Sequence, residues 1–121
     1  AESDLIWEPA MMLRLIERLA EVPCVGPMVL DSPPANTYYD VHVHRRGGQQ
    51  FTKQPPYHAD IAGANGGLLE MDSVGSIVVM RGDVARAVWV PIDEVLVGTC
   101  AMIRADGHKI YLDTGAVCFH P

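Results

Sequence analysis

The sequence predicts an α+β fold in which an N-terminal amphipathic helix packs on an antiparallel, curled or barrel-like β-meander. Helical periodicity is confined to the first part of the chain, whereas short alternating or apolar runs separated by tight-turn residues follow from residue 76 onward. Strands joined by turns of two to four residues must be antiparallel neighbours, so these runs predict a meander. With 121 residues, 49% of them hydrophobic, the chain is expected to form one domain over residues 1–121.

The first element is expected to be a helix over about residues 9 to 21. Apolar residues recur there at i, i+3, i+4 and i+7, with charged residues on the other side: Met12, Leu15, Ile16 and Leu19. Pro9 suits the first turn, because its missing N–H would have no helical partner there. Pro23 ends the element, because the residue before a proline is disfavoured in helical conformation.

A strand and a hairpin are expected after the turn-rich loop DSPPANT. Residues 38–45 alternate, so the valines point one way and four polar residues the other: Tyr38, Asp40, His42 and His44. Residues 46–48, Arg-Gly-Gly, then let the chain reverse. A three-residue loop would pair Val43 with Phe51, and a two-residue loop would place Phe51 beside His44. The first register is preferred, because it keeps apolar residues together.

The rest of the chain is expected to be irregular and then entirely β. Prolines 55 and 56 and the run GANGG allow at most one or two helical turns between residues 53 and 67. The expected strands are SIVVMR, VARAVWV, VLVGTCAMIR, KIYLD and AVCF, with turns at Gly82-Asp83, Asp106-Gly107 and Thr114-Gly115 and a corner at residues 91–94. A type I′ turn at Asp106-Gly107 would pair Ile103 with Ile110 and Ala101 with Leu112.

The stretch YDVHVHRR carries the most distinctive chemistry. On a strand, His-x-His could present two imidazoles to one metal, with Asp40 as a third ligand. The alternative is the solvent face of an ordinary strand. We therefore expect a ligand-binding surface and assign neither a metal nor a cofactor; its residues are Tyr38, Asp40, His42, His44, Arg45, Arg46 and His58. An enzyme, with or without a metal, would use His42, His44, His58 and Asp60.

The charge distribution limits the choice of partner. Nine Lys and Arg against fifteen Asp and Glu give 9 − 15 = −6, the opposite of the balance expected for nucleic-acid binding. Residues 41–59 nevertheless contain no acid, while Arg45, Arg46 and Lys53 add positive charge. A small-molecule or anionic ligand is therefore expected at this stretch.

The apolar strands indicate an oligomer. The segments VARAVWV and the preceding IVVM are apolar on both faces. Both faces of such strands must be covered by other parts of the protein or by a partner. One helix covers one face only, so the other needs barrel closure or a second subunit, and a homo-oligomer is expected.

Compartment and function class follow from what the sequence does not contain. No apolar run reaches about 18 residues, so no membrane partner is expected. Three cysteines without CxxC spacing favour a reducing, cytoplasmic location: Cys24, Cys100 and Cys118. In the absence of a complete catalytic constellation, we expect a small soluble, homo-oligomeric binding or assembly module, with the small enzyme as the alternative.

Overall fold

A four-stranded sheet in the order β4-β6-β1-β5 forms the centre of the computed structural model, which describes residues 5–87 and 95–121. The helices are α1 (Pro9–Arg18), α2 (Asp60–Ala64), α3 (Gly82–Ala87) and α4 (Val95–Ala105). The strands are β1 (Cys24–Asp31), β2 (Arg45–Arg46), β3 (Gln49–Gln50), β4 (Leu68–Met71), β5 (Val79–Met80) and β6 (Ile110–His120). The α+β prediction is confirmed.

The predicted antiparallel meander is wrong, because the sheet is mixed. β1 and β6 pair in parallel, while β4 pairs antiparallel with β6 and β5 antiparallel with β1. The two parallel strands lie near opposite ends of the sequence. No short turn joins them, so the turn residues from which the meander was predicted could not indicate that they pair. Within residues 5–87 and 95–121 the strands form this open sheet and the separate β2–β3 hairpin, with no closed barrel.

Two segments predicted as strands are helices. Residues 82–87 form α3 and residues 95–105 form α4, so the predicted Gly82-Asp83 turn lies inside α3 and the pairing of Ile103 with Ile110 does not occur. Cys100 and Ile103 are both buried in the same core cluster, and their separation by three residues is helical spacing. The predicted corner at 91–94 and the end of VARAVWV lie outside the described residues.

The Asp106-Gly107 turn exists, but it ends α4. Gly107 has φ +90° and donates its N–H to the carbonyl of Arg104 at 3.0 Å, and His108 N–H reaches the carbonyl of Ile103 at 3.1 Å. This pair of bonds is the Schellman arrangement, in which glycine adopts positive φ without steric cost. The dipeptide Asp-Gly is compatible with a hairpin turn and with a helix end. The sequence predicted a hairpin turn at Asp106-Gly107, whereas the structure has a helix end there.

β6 is one strand with a bulge, where the sequence predicted two strands and a turn. Pro27 pairs with Asp113 and Met28 with Val117, so residues 114–116 have no partner in β1. Pro27 has no N–H to give to a ladder, which fits an interruption at this point. The bulge turns the Asp113 carboxylate towards α1, where Arg14 and Arg18 bind it.

The sheet has an apolar cluster on each face. Met11 and Leu15 of α1 lie in the cluster that contains Val25 and Val29 of β1. The other cluster contains residues from β1, β4, β6, α3 and α4, together with Tyr38 and Phe51. The predicted helix is confirmed and ends at Arg18. None of the described helices is long and apolar enough to cross a membrane.

The predicted strand over residues 38–45 is wrong. Tyr38 makes only an isolated bridge to Leu30, residues 41–43 form a turn, and the strand begins at Arg45. Tyr38, Asp40 and His44 were expected on the solvent face but are buried. The alternation misled because these polar groups have hydrogen-bond partners inside the molecule.

Candidate functional site: a groove beside the hairpin

The β2–β3 hairpin turns through a two-residue loop. Gly47 has φ +57° and Gly48 φ +79°, the conformation of a type I′ turn. Arg45 therefore pairs with Gln50 and Arg46 with Gln49, and the preferred three-residue register is wrong. Phe51 N–H donates to the carbonyl of His44 at 3.2 Å. Phe51 still lies beside a buried side chain in this register, because the His44 ring is inside the core.

His44 is bonded at both ring nitrogens inside the core. Tyr38 O–H lies 2.7 Å from Nδ1, and Nε2 lies 2.8 Å from the carbonyl of Gly75. Since a carbonyl can only accept, Nε2 carries the proton and Nδ1 accepts from the tyrosine. Burial lowers the pKa of His44 to about 4, and the hydrogen bond to the Gly75 carbonyl offsets only part of this decrease. His44 is a neutral structural residue.

Asp40 is likewise used inside the molecule. Its Oδ2 accepts from the backbone N–H of Ser76 at 3.0 Å and from the Ser76 hydroxyl at 2.7 Å. Burial raises the pKa of Asp40, and the two Ser76 bonds only partly offset this. Together with Tyr38 and His44, this carboxyl fastens residues 38–44 to residues 75–76.

The two faces of the hairpin carry different predicted residues. On one side, Arg45 Nε donates to the carbonyl of His42 at 2.9 Å, and His42 Nδ1 lies 3.4 Å from Gln50 Nε2. Arg46 and Gln49 line a groove on the other side. Because side chains point alternately to the two faces of a strand, Arg45 and Arg46 of β2 lie on opposite sides of the hairpin.

The groove has a volume of about 420 Å³. It lies between the hairpin, the start of α2 and the end of β4, and its lining residues are Arg46, Gly47, Gln49, His58, Asp60, Glu70, Met71 and Asp72. A second depression of about 230 Å³ shares Gln49 and His58 with it. His58 therefore stands where the two depressions meet, and we call the larger one the His58 groove.

His58 is fixed by its backbone surroundings and keeps one free donor. Its side chain is only 9% exposed, and its Nδ1 accepts the backbone N–H of Asp60 at 3.1 Å. In the neutral ring the proton therefore lies on Nε2. Within the described residues Nε2 has no hydrogen-bond partner, and no fully buried side-chain atom there is unpaired, so Nε2 remains in contact with solvent.

Arg46 is already held by groups of the protein. Its Nε donates to Asp60 Oδ2 at 2.9 Å and its Nη1 to the carbonyl of Glu70 at 2.5 Å. The bond from Arg46 lowers the pKa of Asp60, so that carboxylate is ionised. An incoming anion would have to compete with Asp60 for this guanidinium.

Two more carboxylates enter the groove from the end of β4. Asp72 Oδ2 accepts the N–H of Gly48 at 2.6 Å, and Glu70 Oε1 lies 3.5 Å from Lys109 Nζ. Counting Arg46 and Lys109, which pairs with Glu70, against Asp60, Glu70 and Asp72, the groove and its border carry two positive and three negative charges. Among the described residues the Asp72 carboxylate makes no ion pair, so the local charge balance is negative and favours a cation over an anion.

The structure brings only some of the predicted residues together. Arg46, His58 and Asp60 share the groove, Arg45 and His42 lie on the opposite side of the hairpin, and His44 is inside the core. In residues 5–87 and 95–121, no three His, Cys, Asp or Glu are grouped so as to hold a metal ion.

Sequence reasoning missed Glu70 and Asp72. A signal was present, because in LLEMD the acids alternate with the buried Leu69 and Met71 and so had to point away from the core. No protein-family model, curated protein or solved structure matches the chain.

Proposed function

We propose that the chain is a binding module that holds a small polar cation in the His58 groove. The observation that carries the proposal is the juxtaposition of a fixed, unpaired Nε2–H donor with a lining of three carboxylates and one arginine. The best ligand carries a positive group for Glu70 and Asp72 and a hydrogen-bond acceptor for His58. Basic amino acids combine both features.

A cation is favoured over the anionic ligand that the acid-poor stretch 41–59 suggested. Folding brings Asp60, Glu70 and Asp72 to this stretch from outside it, and Asp60 neutralises Arg46. An anion would meet the Asp72 carboxylate, which has no ion-pair partner among the described residues, and like charges at close range are unfavourable. The anionic ligand becomes the alternative outcome of the titration below.

Binding is favoured over the enzymatic alternative. That hypothesis required His42, His44, His58 and Asp60 to converge on one substrate. His44 is fully buried with both nitrogens bonded, and His42 lies on the other side of the hairpin. A general base must come within hydrogen-bond reach of the proton it removes, and these two rings do not face the groove.

Titration with three small molecules tests the proposal. L-Arginine carries both a guanidinium and a carboxylate, agmatine carries the cation without the carboxylate, and acetate carries the acceptor alone. Followed by NMR, arginine should shift the ring signals of His58 and the amide of Gly48 most, agmatine less, and acetate least. Binding of acetate without binding of agmatine would instead support the anionic ligand.

Two matched variants locate the binding. Asp72→Asn keeps an acceptor for Gly48 but removes the charge, and a loss of about 1 kcal/mol would weaken arginine binding about fivefold. His58→Phe keeps the ring packed near Phe51, 5.2 Å away, but removes the donor. Asp106→Asn changes the same charge outside the groove and should leave the affinity unchanged. Equal affinities in all variants would contradict the proposal.

We also propose that the module is a homo-oligomer in a reducing, cytoplasmic setting. The compartment is supported by three cysteines that are all free and buried. Residues 82–87 are helical, so they are not part of a strand that is apolar on both faces. The homo-oligomer is supported by the large apolar side chains that α1 exposes, Leu13 and Ile16.

A further inference from the structure

Gln50 presents its backbone N–H and carbonyl to the outer edge of the β2–β3 hairpin. Phe51 donates its N–H to the carbonyl of His44, so these two residues form a hydrogen-bonded pair. In an antiparallel ladder such pairs alternate with pairs whose members are not bonded to each other. The next pair, Arg45 with Gln50, is therefore of the second kind, and its backbone groups point away from the hairpin on both sides.

The two outer edges of the hairpin differ in what they bond. Arg45 donates its N–H to the carbonyl of Ser73 at 3.3 Å and accepts the N–H of Asp72 at 2.8 Å, so this edge is joined to the residues that follow β4. On the opposite edge, no group within residues 5–87 and 95–121 bonds the backbone N–H or carbonyl of Gln50, which is exposed. An exposed edge with unpaired groups can accept a further strand.

The free edge borders the smaller depression beside the His58 groove. Thr52, two residues after Gln50, points its N–H to the same edge and donates it to the carbonyl of Tyr57 at 2.9 Å. The depression of about 230 Å³ is lined by β3 on one side and by residues 56–59 on the other, and it shares Gln49 and His58 with the groove. A segment bonded to Gln50 would therefore lie in this depression, next to the groove.

The alternation of an added strand would connect the free edge to the groove. A peptide residue opposite Gln50 bonds its N–H and carbonyl to Gln50. Its neighbour lies opposite Gln49, so the neighbour's side chain falls on the face of the hairpin that lines the groove. The backbone groups of that neighbour point away from β3, towards the side of the depression that His58 lines. Its carbonyl can accept the proton of His58 Nε2.

We infer that the ligand of the His58 groove is a basic residue within an extended peptide, which pairs its backbone with Gln50 as a third strand of the hairpin. The inference rests on the proposed cation-binding function and names its ligand class. In this mode of recognition the backbone bonds supply affinity, and a pocket for one side chain supplies selectivity. Asp72, which makes no ion pair among the described residues, selects a basic side chain for the groove.

Titrations with L-arginine and two end-blocked peptides test the inference. Two additional backbone hydrogen bonds should make acetyl-AARAA-amide bind about tenfold more tightly than L-arginine. Acetyl-AAAAA-amide should bind more weakly than acetyl-AARAA-amide, because it has no cation for the groove. In the complex of the wild-type chain with acetyl-AARAA-amide, hydrogen exchange at the Gln50 amide should slow, because its N–H becomes hydrogen-bonded.

Two variants at one position separate the backbone of Gln50 from its side chain. Gln50→Pro removes the N–H, and proline is tolerated at an edge where that N–H makes no bond within the sheet. Gln50→Ala keeps the N–H and removes the same side-chain amide, so it is the matched control. Acetyl-AARAA-amide should bind Gln50→Pro about fivefold more weakly than Gln50→Ala, whereas L-arginine should bind the two variants alike.

The outcomes distinguish this inference from the proposed function. If L-arginine binds, but acetyl-AARAA-amide binds no more tightly and leaves exchange at Gln50 unchanged, strand pairing is overturned and the cation site stands. Equal binding of acetyl-AARAA-amide to Gln50→Pro and Gln50→Ala would also overturn strand pairing. Equal binding of the two peptides would overturn the selection of a basic residue by the groove. If neither L-arginine nor acetyl-AARAA-amide binds, the proposed function falls together with the inference.

Discussion

At the scale of single residues, His44 makes stability depend on pH. Its pKa is lowered from 6.5 to about 4 by burial, so the folded state keeps the ring neutral where the unfolded state would be protonated. Its contribution to stability is complete above pH 6.5 and is lost as the pH falls from about 6.5 to about 4. The loss is at most about 3 kcal/mol.

Urea denaturation of wild type and His44→Gln at several pH values measures this contribution. The difference between the two free energies of unfolding should shrink as the pH falls through that window. Asp40, whose pKa is raised by burial, acts with the opposite sign but is present in both proteins. His42→Gln, at an exposed ring, should follow the wild type. A constant difference between wild type and His44→Gln would contradict the account.

The predictions from sequence failed most clearly for the burial of individual polar side chains. Tyr38, Asp40 and His44 were assigned to solvent from their alternation, yet each is buried. Polar residues enter a core when every polar atom finds a partner. Gly75, the partner of His44, and Ser76, the partner of Asp40, both lie more than thirty residues away in the sequence. No local pattern reveals such distant pairs.

At the scale of elements, Asp113 fastens α1 to the sheet. Its buried carboxylate accepts from Arg14 at 2.8 and 3.1 Å, from Arg18 at 3.2 Å and from the N–H of Gly115 at 3.0 Å. Burial alone would raise the pKa of Asp113, but these donors outweigh it and hold the pKa below its ordinary value. The carboxylate therefore stabilises the fold above pH 3.8, and this stability is lost as the pH falls through the lowered pKa.

Asp113→Asn should destabilise the protein by about 2 kcal/mol, because hydrogen bonds to a charged group are lost. Thermal unfolding at neutral pH measures the change, with Asp106→Asn, at a largely exposed carboxylate, as the control. If both variants melt like the wild type, Asp113 does not hold α1 in place.

The helices show which elements a sequence reveals. α1 was predicted because its periodicity spans three turns between two prolines. α3 and α4 were read as strands because their valines and isoleucines are typical of β-structure, although Cys100 and Ile103 had helical spacing. The core contacts made by α4 decided its conformation, and such contacts override propensity.

At the scale of the whole molecule, the parallel β1–β6 pair is the structural centre. Both strands have neighbours on either side along at least part of their length, and clusters cover both faces of the sheet. Amide hydrogen exchange should be slowest there, for example at Val29 and Leu112, and faster at the exposed Gln49 and Gln50 of the hairpin. Equal protection in β3 and β6 would contradict this order.

The groove is likewise a property of the whole fold. Its predicted members, Arg46 and His58, come from the acid-poor stretch, but Glu70 and Asp72 reach it only because β4 ends beside the hairpin. Local patterns therefore indicated the acid-poor stretch but not the carboxylates that folding brings beside it. Their arrival depends on pairings between segments, which local patterns do not contain.

The most direct test of the proposed site is the ¹⁵N spectrum of the His58 imidazole with and without L-arginine. In the neutral ring, Nε2 should carry the proton and Nδ1 should not, because Nδ1 accepts from Asp60 N–H. Arginine should then shift the Nε2 signal, and the shift at a fixed arginine concentration should be smaller in Asp72→Asn. A proton on Nδ1, or an Nε2 signal indifferent to arginine, would contradict the account.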